Sequence, residues 1–398
     1  MIILLIFAAF ILTGIGGLIY LYRRVQRFFP ESMPRKKKRL LAVLPIVGLL
    51  IWCALDFVNG VIVIVNILAI WLLCDLAAWL IRKLRGAKKA EPEAEKAKTP
   101  IQPEAGQKRR SVYWAGICAI AISVIYLGTG WYFAHHVVAT NYALTTEKDL
   151  PGKTLRIVQI ADSHLGATFD GKKFADYVKK MEKEKPDMLV ITGDFVDDDS
   201  NRADLEKACE ALGKMQTTYG VFYVYGNHDK GYMNSRDFTD ADMRQIFAKN
   251  NIRILEDEVV SLDGKINLIG RKDRSAGQRG MKPDNAKQGD SERLDMEALA
   301  ATTDEKHYRI VLDHQPHDFE NQAKTGVDLV LCGHTHGGQM FPVGVTGELS
   351  GANDKTYGLE KRENTNFIVT SGISDWAIKF KTGGAISEYV VIDIAGKK

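Results

Sequence analysis

Residues 154–164 of this 398-residue chain read TLRIVQIADSH, a compact apolar run that ends in the polar cluster Asp162-Ser163-His164. Short apolar runs of this kind are typical of strands buried on both faces of a sheet. Similar runs follow at Met188–Thr192, Val221–Tyr225 and Leu329–Cys332. Apolar residues at helical spacing separate the first three runs, so the sequence predicts a β-α-β-α-β unit.

Further strands with few helices between them are predicted in the C-terminal part of the chain. They are Val259–Leu262, Ile266–Gly270, Tyr308–Asp313, Phe367–Thr370 and Tyr389–Ile394. Asp263-Gly264 separates the first two as a hairpin turn. This mixture predicts an α/β domain over residues 150–398, with two layered mixed sheets and helices outside. In open α/β sheets, polar groups just past the strand ends carry the chemistry.

Five polar clusters stand out in this domain, and four of them directly follow a predicted strand. They are Asp162-Ser163-His164, Gly193-Asp194-Phe195-Val196-Asp197, Gly226-Asn227-His228-Asp229, Asp313-His314-Gln315-Pro316-His317 and Gly333-His334-Thr335-His336. Divalent metals need several imidazoles and oxygen ligands at one point. Each cluster alone is more often structural, but together they supply enough ligands for two metals if one carboxylate bridges. The glycines at 193, 226 and 333 allow sharp turns and close backbone approach.

The series Asp-x-His, Gly-Asp-x-x-Asp, Gly-Asn-His-Asp, His and Gly-His-x-His resembles the calcineurin-like metallophosphoesterase superfamily over residues 150–398. The longer motif Gly-His-Thr-His-Gly-Gly-Gln at 333–339, with His-Gln-Pro at 314–316, resembles its membrane-attached bacterial branch. Some members of that branch act on phosphodiester or pyrophosphate bonds of lipid precursors. The resemblance implies a four-layer αββα sandwich.

The resemblance also implies roles for individual residues. One metal would be held by Asp162, His164, Asp194 and His336. The other would be held by Asp194, Asn227, His314 and His334, with Asp194 bridging. His228 would face the scissile phosphate, and Asp197 would orient it. Two such metals activate a bridging hydroxide that attacks phosphorus, while His228 stabilises charge or protonates the leaving group. Mn²⁺, Fe and Zn²⁺ all accept these ligands, so the metals stay unidentified.

Residues 1–136 are predicted to form an all-α membrane bundle. Four stretches approach or exceed the ~20 apolar residues that span a bilayer; they are Ile2–Tyr22, Leu40–Val58, Val61–Ile81 and Val112–Ala134. Basic residues are concentrated between spans one and two and in a linker at 84–110, which places those loops in the cytoplasm. The catalytic domain is therefore expected outside the cytoplasmic membrane. Asp75, inside the third span, either marks an ion path or, as we favour, pairs within the bundle.

The expected activity is metal-dependent hydrolysis of a phosphate ester by a phosphodiesterase or phosphatase, with a lipid-linked or nucleotide-like substrate. The alternative is a membrane-tethered binding or signalling module with a non-catalytic metal site, which would require a missing ligand or the loss of His228. A transporter or sensor would require paired half-helices, which the sequence does not show. The net charge of +4 comes largely from segments that flank the spans, so no nucleic-acid partner is expected.

Three smaller features are open to two interpretations each. Cys209 and Cys332 are expected to be buried core residues rather than a disulfide pair or a metal knuckle. The polar insert Arg271–Glu292 is either a lid whose cations contact phosphate or a solvated loop. The apolar stretch Met340–Val343 either touches an acyl chain or the bilayer surface, or packs on the domain, which we slightly favour.

Overall fold

Residues 2–88, 112–231, 235–274 and 293–396 are described by the computed structural model, and they fall into two units, Met1–Gly128 and Thr129–Lys398. The first unit contains three long helices. They are α1 (Ile2–Val25), α2 (Arg35–Leu55) and α3 (Phe57–Lys88), with a short 3₁₀ helix at Gln26–Phe28. Helix α4 (Trp114–His135) begins in the first unit and ends in the second. Most of the predicted cytoplasmic linker lies outside the described residues.

Three helices of the described part are long and apolar enough to cross a membrane, at Arg35–Leu55, Phe57–Arg85 and Trp114–His135. They coincide with three of the four predicted spans. The remaining predicted span, Ile2–Tyr22, falls in α1, where the side chains before residue 12 lie outside the description. The number of spans therefore stays a prediction.

The carboxylate of Asp75 is paired inside the helical unit. Arg24 Nε lies 2.7 Å from its Oδ2, and the hydroxyl of Tyr20 donates to the same oxygen at 2.6 Å. Tyr113 donates to Oδ1 at 3.0 Å and in turn accepts from the Trp71 indole at 2.9 Å. An ionisable group among apolar helices needs such partners. The favoured interpretation, pairing within the bundle, is the arrangement that the structure shows.

The described residues of the second unit form twelve strands in two six-stranded sheets. In chain order they are β1 (Val138–Thr145), β2 (Thr154–Ile160), β3 (Met188–Thr192), β4 (Gly220–Val224), β5 (Ile252–Ile254), β6 (Glu258–Leu262), β7 (Ile266–Gly270), β8 (Tyr308–Leu312), β9 (Leu329–Cys332), β10 (Gly358–Arg362), β11 (Thr365–Val369) and β12 (Glu388–Ala395). The first sheet has the order β1-β12-β2-β3-β4-β5, and the second has the order β10-β11-β9-β8-β7-β6. Both sheets are mixed, with β2 to β5 mutually parallel in one and β7, β8, β9 and β11 in the other.

Helices cover the outer face of each sheet. Along the first sheet lie α5 (Gly171–Glu182), α6 (Arg202–Lys214) and α7 (Asp240–Lys249), and along the second lie α8 (Met296–Ala300) and α9 (Phe319–Lys324). The first three begin at capping side chains, Asp170, Asn201 and Thr239, which accept hydrogen bonds from backbone N–H groups of the first turn. A further short helix, α10 (Val343–Leu349), follows β9.

The alternation of side chains along the strands builds the layers. In β3, Leu189 and Ile191 pack against α5, α6 and α7, whereas Met188 and Val190 face the second sheet. The core between the sheets contains apolar residues of both, such as Ile310 and Leu331. The predicted four-layer αββα sandwich, with a helical region before it, is confirmed.

Two strands were not predicted. β1 has a half-exposed alternating pattern and pairs with β12 in parallel at the edge of the first sheet. It precedes residue 150, where the sequence suggested that the domain begins. β5 has only three residues, too few to carry a recognisable period.

Candidate metal centre

All five polar clusters follow the carboxyl ends of strands in the two sheets. Asp162 follows β2, Asp194 follows β3 and Asn227 follows β4 in the first sheet, whereas His314 follows β8 and His334 follows β9 in the second. Within each sheet these strands are parallel neighbours, so their carboxyl ends share one edge. Stacking of the two sheets then brings both edges together.

One group of side chains with metal-binding geometry consists of Asp162, His164 and His336, all of them buried. Nε2 of His164 lies 3.2 Å from Nε2 of His336. The same nitrogen of His336 lies 3.8 Å from Oδ1 of Asp162. Two imidazole nitrogens and a carboxylate oxygen that converge in this way match the donor set of a divalent cation.

The second group consists of Asp194, His314 and His334. Nε2 of His314 lies 3.2 Å from Oδ2 of Asp194 and 3.2 Å from Oδ1 of Asn227. The rings of His314 and His334 meet edge to face, with centroids 5.1 Å apart. The donor set again combines imidazole nitrogen with carboxylate and amide oxygen.

Asp194 lies between the two groups. Its Oδ2 is 3.2 Å from Nε2 of His314 and 3.9 Å from Nε2 of His164. The side chains that the resemblance proposed as ligands therefore lie together, and Asp194 lies between the two groups, where a bridging ligand is expected. The fit to two cations rests on this shared oxygen and on the donor chemistry.

The backbone at the centre adopts conformations that side chains rarely take. Five of the proposed ligands have left-handed φ angles, namely Asp162 (52°), His164 (37°), Asp194 (51°), His334 (74°) and His336 (49°). Such strain costs of order 1–3 kcal/mol per residue and is concentrated at functional sites. Its accumulation after the ends of three strands, β2, β3 and β9, singles out this edge of the sandwich.

Two of the predicted glycines are required by close packing. A Cβ at Gly193, where φ is +86°, would lie 2.4 Å from Nδ1 of His314. A Cβ at Gly226 would lie 2.2 Å from Oδ1 of Asp194. Any larger residue at either position would displace a proposed ligand.

Cross-sheet hydrogen bonds orient the side chains. Both carboxylate oxygens of Asp162 accept from the backbone N–H of His334, at 3.0 Å each. Nδ1 of His314 lies 2.8 Å from the carbonyl oxygen of Thr192, so its Nε2 is directed to Asp194. Within the first sheet, the backbone N–H of His228 donates to Oδ1 of Asp194 at 2.8 Å.

Asp229 organises the loops of the first sheet. Its buried carboxylate accepts backbone N–H groups from Asp194 (2.8 Å), Phe195 (2.7 Å), Val196 (3.1 Å) and Gly226 (2.6 Å). Burial and the nearby charge of Asp194 raise the pKa of Asp229 to about 6, against these bonds. The carboxylate thus connects the loops after β3 and β4.

Asp313 organises the second sheet through side chains. Its Oδ2 pairs with Arg271 Nη1 at 3.1 Å, with Arg293 Nη2, and with the amide of Gln322 at 3.0 Å. Arg271 opens the polar insert, yet its side chain is buried and also reaches Asp318 at 3.2 Å. Residues 275–292 of the insert lie outside the described part. No local motif marked this network.

Asp197 contacts one of the proposed metal ligands. Its Oδ2 lies 3.2 Å from Nδ1 of His164, whereas the resemblance assigned this carboxylate to His228. His164 and Asp197 both lie in loops that leave the first sheet, which explains their proximity. The contact turns the Nε2 atom of His164 toward His336 and Asp194.

His228 stands beside the first group of side chains with part of its ring exposed. Its ring meets that of His164 edge to face, with centroids 5.1 Å apart, and that of Trp376 at 6.0 Å. Trp376 also lies 6.4 Å from the His336 ring. This tryptophan belongs to the segment between β11 and β12, where no sequence motif indicated a functional residue.

Burial dominates the electrostatics of the cluster. Burial, assisted by the neighbouring imidazole of His314, lowers the pKa of His334 to about 3. Burial, assisted by the imidazole of His164, also lowers the pKa of His336. Burial alone would raise the pKa of Asp194, but the charges of His314 and His164 hold it below its usual range. Although burial opposes the change, Asp194 raises the pKa of His314 and Asp197 raises that of His164. Because metals bind neutral imidazoles and ionised carboxylates, metal binding would release protons from these two rings.

Three smaller predictions can be compared with the structure. Cys209 and Cys332 are buried and unpaired with each other, and burial raises the pKa of both thiols. Phe341 and Val343, which were expected to pack on the domain, are instead exposed. The reason is that α10 has no buried residue to anchor that stretch.

Comparisons with known proteins point to one family. A family model described as calcineurin-like phosphoesterase matches residues 155–338. An uncharacterized metallophosphoesterase of Aquifex aeolicus is 33% identical over 208 residues, which cover 52% of this chain and 72% of that protein. Another uncharacterized metallophosphoesterase, from Campylobacter jejuni, is 29% identical over 293 residues, which cover 73% of this chain and 71% of that protein. The structure of a dimetal phosphatase from Danio rerio aligns at 13% identity and a TM-score of 0.39, covering 60% of this chain and 91% of that one.

Proposed function

The chain belongs to the calcineurin-like phosphoesterase family and is a phosphoester hydrolase; from that premise, we propose that it cleaves its substrate at two divalent cations which share Asp194. The observation that carries the proposal is the position of Oδ2 of Asp194, 3.2 Å from His314 and 3.9 Å from His164. A carboxylate that reaches two separate groups of imidazoles is the arrangement that a dinuclear site requires.

The proposed ligands divide between the two cations. One cation would be held by Asp162, His164, Asp194 and His336, and the other by Asp194, Asn227, His314 and His334. When bound, the pair of cations clamps phosphoryl oxygens and supplies the hydroxide nucleophile at neutral pH. These donors accept Mn²⁺, Fe or Zn²⁺, so the donor set does not identify the cations.

His228 and Trp376 have the positions to contact the substrate. The backbone N–H of His228 is held by Asp194, and its partly exposed ring lies beside the first group. We assign His228 to a hydrogen bond with a phosphoryl or leaving oxygen, where it stabilises developing charge. Trp376, which touches the same ring, borders the space that the leaving group would enter.

The membrane location is part of the proposal. Three candidate spans and the basic loops that flank them favour a multi-pass protein of the cytoplasmic membrane, with the catalytic domain outside. A phosphodiester of a lipid-linked substrate suits that location. Labelling of the 84–110 linker by a membrane-impermeant reagent in whole cells would contradict the orientation.

Metal analysis combined with a substrate screen tests the activity. The full-length protein, purified in detergent, should contain close to two divalent metals per chain and hydrolyse bis(p-nitrophenyl) phosphate or p-nitrophenyl phosphate. His334→Ala should abolish turnover, whereas Glu320→Gln, at an exposed position of α9, should not change it. Metal binding without turnover of phosphomonoesters, phosphodiesters or pyrophosphates would favour the binding-module alternative.

A further inference from the structure

The segment 340–349, which includes α10, exposes an apolar surface immediately after the metal-centre motif. The exposed fractions are 66% for Phe341, 58% for Val343, 56% for Val345 and 82% for Leu349. No residue of α10 is buried. Among the described residues of the second unit, eight large hydrophobic side chains are exposed, and four of them lie within these ten positions. Exposed apolar side chains that are concentrated in one short segment in this way mark an interaction surface.

The polar side chains of the segment make hydrogen bonds within the domain. Glu348, its one charged residue, accepts the backbone N–H of Thr356 at 2.6 Å. The hydroxyl of Thr346 donates to the carbonyl of Val343 at 3.0 Å. A helix whose hydrogen-bonding groups are satisfied internally can enter an apolar medium at little cost.

The segment is connected to the C-terminal turn of α4. The backbone N–H of Lys381 donates to the carbonyl of Gly130 at 2.8 Å, and the next residue, Thr382, donates to the carbonyl of Gln339 at 2.8 Å. The Thr382 hydroxyl also accepts the backbone N–H of Phe341 at 3.4 Å. The apolar surface thus begins two residues after Gln339, which contacts Thr382. The residue before Thr382 contacts the C-terminal turn of α4, a candidate membrane span.

The end of α4 itself has the composition of a membrane interface. Trp131 and Tyr132 are 52% and 49% exposed, and they stack on His135 and His136. Exposed tryptophan and tyrosine at the end of a spanning helix typically lie at the headgroup level. A surface attached to that turn therefore lies near the bilayer surface.

The same segment is tied to the metal centre. It follows His336 through the 3₁₀ helix His336–Gly338 and Gln339. The Gln339 amide donates to the carbonyls of Ile378 (2.7 Å) and Phe380 (2.8 Å), in the loop that carries Trp376. The position of the segment at the membrane therefore determines the position of the metal centre.

We propose that segment 340–349 is a membrane-docking surface, with Phe341, Val343, Val345 and Leu349 inserted into the lipid bilayer from which α4 emerges. Docking would hold the metal centre at the headgroup level, where it meets phosphate esters anchored by an acyl chain. This consequence for the substrate rests on the proposed hydrolase function, whereas the contact with lipid does not.

A spin label tests the contact with lipid without any catalytic readout. The full-length protein, with Cys53, Cys74 and Cys118 replaced by alanine, is labelled at Val345→Cys and reconstituted in phosphatidylcholine–phosphatidylglycerol nanodiscs. We expect relaxation by oxygen at least threefold stronger than relaxation by a water-soluble nickel chelate. Lys207→Cys, on the exposed face of α6, is the matched control and should show the reverse order.

Two outcomes would overturn the docking proposal. A label at 345 that is as accessible to nickel as the label at 207 would place the segment in water. A label shielded from both oxygen and nickel would place it against protein.

A kinetic comparison tests the consequence for the substrate. In the triple variant Val343→Ser, Val345→Ser, Leu349→Ser, the KM for hexadecyl p-nitrophenyl phosphate in phosphatidylcholine vesicles should rise at least tenfold, while kcat/KM for soluble bis(p-nitrophenyl) phosphate should not change. Equal losses on both substrates would contradict a docking role. If the unmodified protein cleaves neither ester, the hydrolase proposal fails, and the spin-label result still decides whether the segment contacts lipid.

Discussion

The two sheets contribute unequally to the metal centre. The first sheet supplies all the oxygen donors, Asp162, Asp194 and Asn227, together with His164, whereas the second supplies three imidazoles. Their supports differ as well, because Asp229 holds the first set through backbone N–H groups and Asp313 holds the second through side chains. Neither sheet has a complete site, so metal binding depends on the closed sandwich. The first sheet contains Asp194, the proposed shared ligand. It also contains Asp229, whose backbone partners cannot be replaced by substitution.

The largest expected effect is the loss of Asp194, because it contacts both groups of imidazoles. Asp194→Asn should lower kcat/KM by about 10³-fold or more, which is at least ~4 kcal/mol of transition-state stabilisation. His336→Ala, in the second sheet, removes a donor from one group only. Mass spectrometry of metal content should therefore find both metals depleted in the first variant and one retained in the second. Equal depletion would mean that the carboxylate is not shared.

The second comparison concerns the two buried supports. Asp229→Ala leaves four buried N–H donors without their acceptor, and we expect a loss of on the order of 3–5 kcal/mol. Asp313→Ala leaves Arg271 buried beside a cavity, with a similar expected loss. Thermal unfolding of the full-length protein in detergent measures both.

The two losses should differ in whether they can be rescued. Asp313→Leu combined with Arg271→Met and Arg293→Met replaces both ion pairs with apolar packing, which is often neutral, so more than half of the stability should return. The partners of Asp229 are backbone groups that no substitution can remove. Failure of the triple variant to recover stability would show that the second sheet depends on its charges as strictly as the first.

The sequence was sufficient for the layers and for the location of the site, because both follow from simple rules. Compact runs such as MLVIT at 188–192 predict buried strands, and the ends of parallel strands share an edge. The supports could not be predicted in the same way. Asp313 meets Arg271 and Arg293 only after the second sheet has formed, and Trp376 belongs to no motif. β1 was hidden because a half-exposed edge strand directly follows an apolar helix.

A third prediction concerns Asp375, in the segment that joins the two sheets. Neither of its carboxylate oxygens has a hydrogen-bond partner among the described residues, and His135 Nε2 lies 3.9 Å away. Burial raises the pKa of Asp375 to about 6, well above the ordinary value for an aspartate. The native state therefore binds this proton more tightly than the unfolded state, and its contribution to stability is lost as pH rises from about 4 to 6.

Asp375→Asn removes that dependence. At pH 7 the variant should be more stable than the unmodified protein by up to about 3 kcal/mol, and the difference should shrink toward pH 4. Melting temperatures measured in detergent between pH 4 and 8 test this. The exposed Asp199→Asn is the control for a change in surface charge. A difference that does not vary with pH would mean that Asp375 is ionised at a normal pKa.

The smallest expected effect separates the two roles considered for Asp197. Its contact with Nδ1 of His164 supports a proposed metal ligand, so Asp197→Asn should raise the metal concentration for half-maximal activity 10–100-fold. At saturating metal, kcat and its pH profile should stay unchanged. If Asp197 instead supports His228, kcat should fall at every metal concentration, as in His228→Ala, and the pH profile should shift. Titration of both variants with Mn²⁺ would thus decide whether Asp197 supports metal binding or supports the contact of His228 with the substrate. A defect that saturating metal repairs must arise in metal binding, because a group that only contacts phosphate does not change the metal affinity.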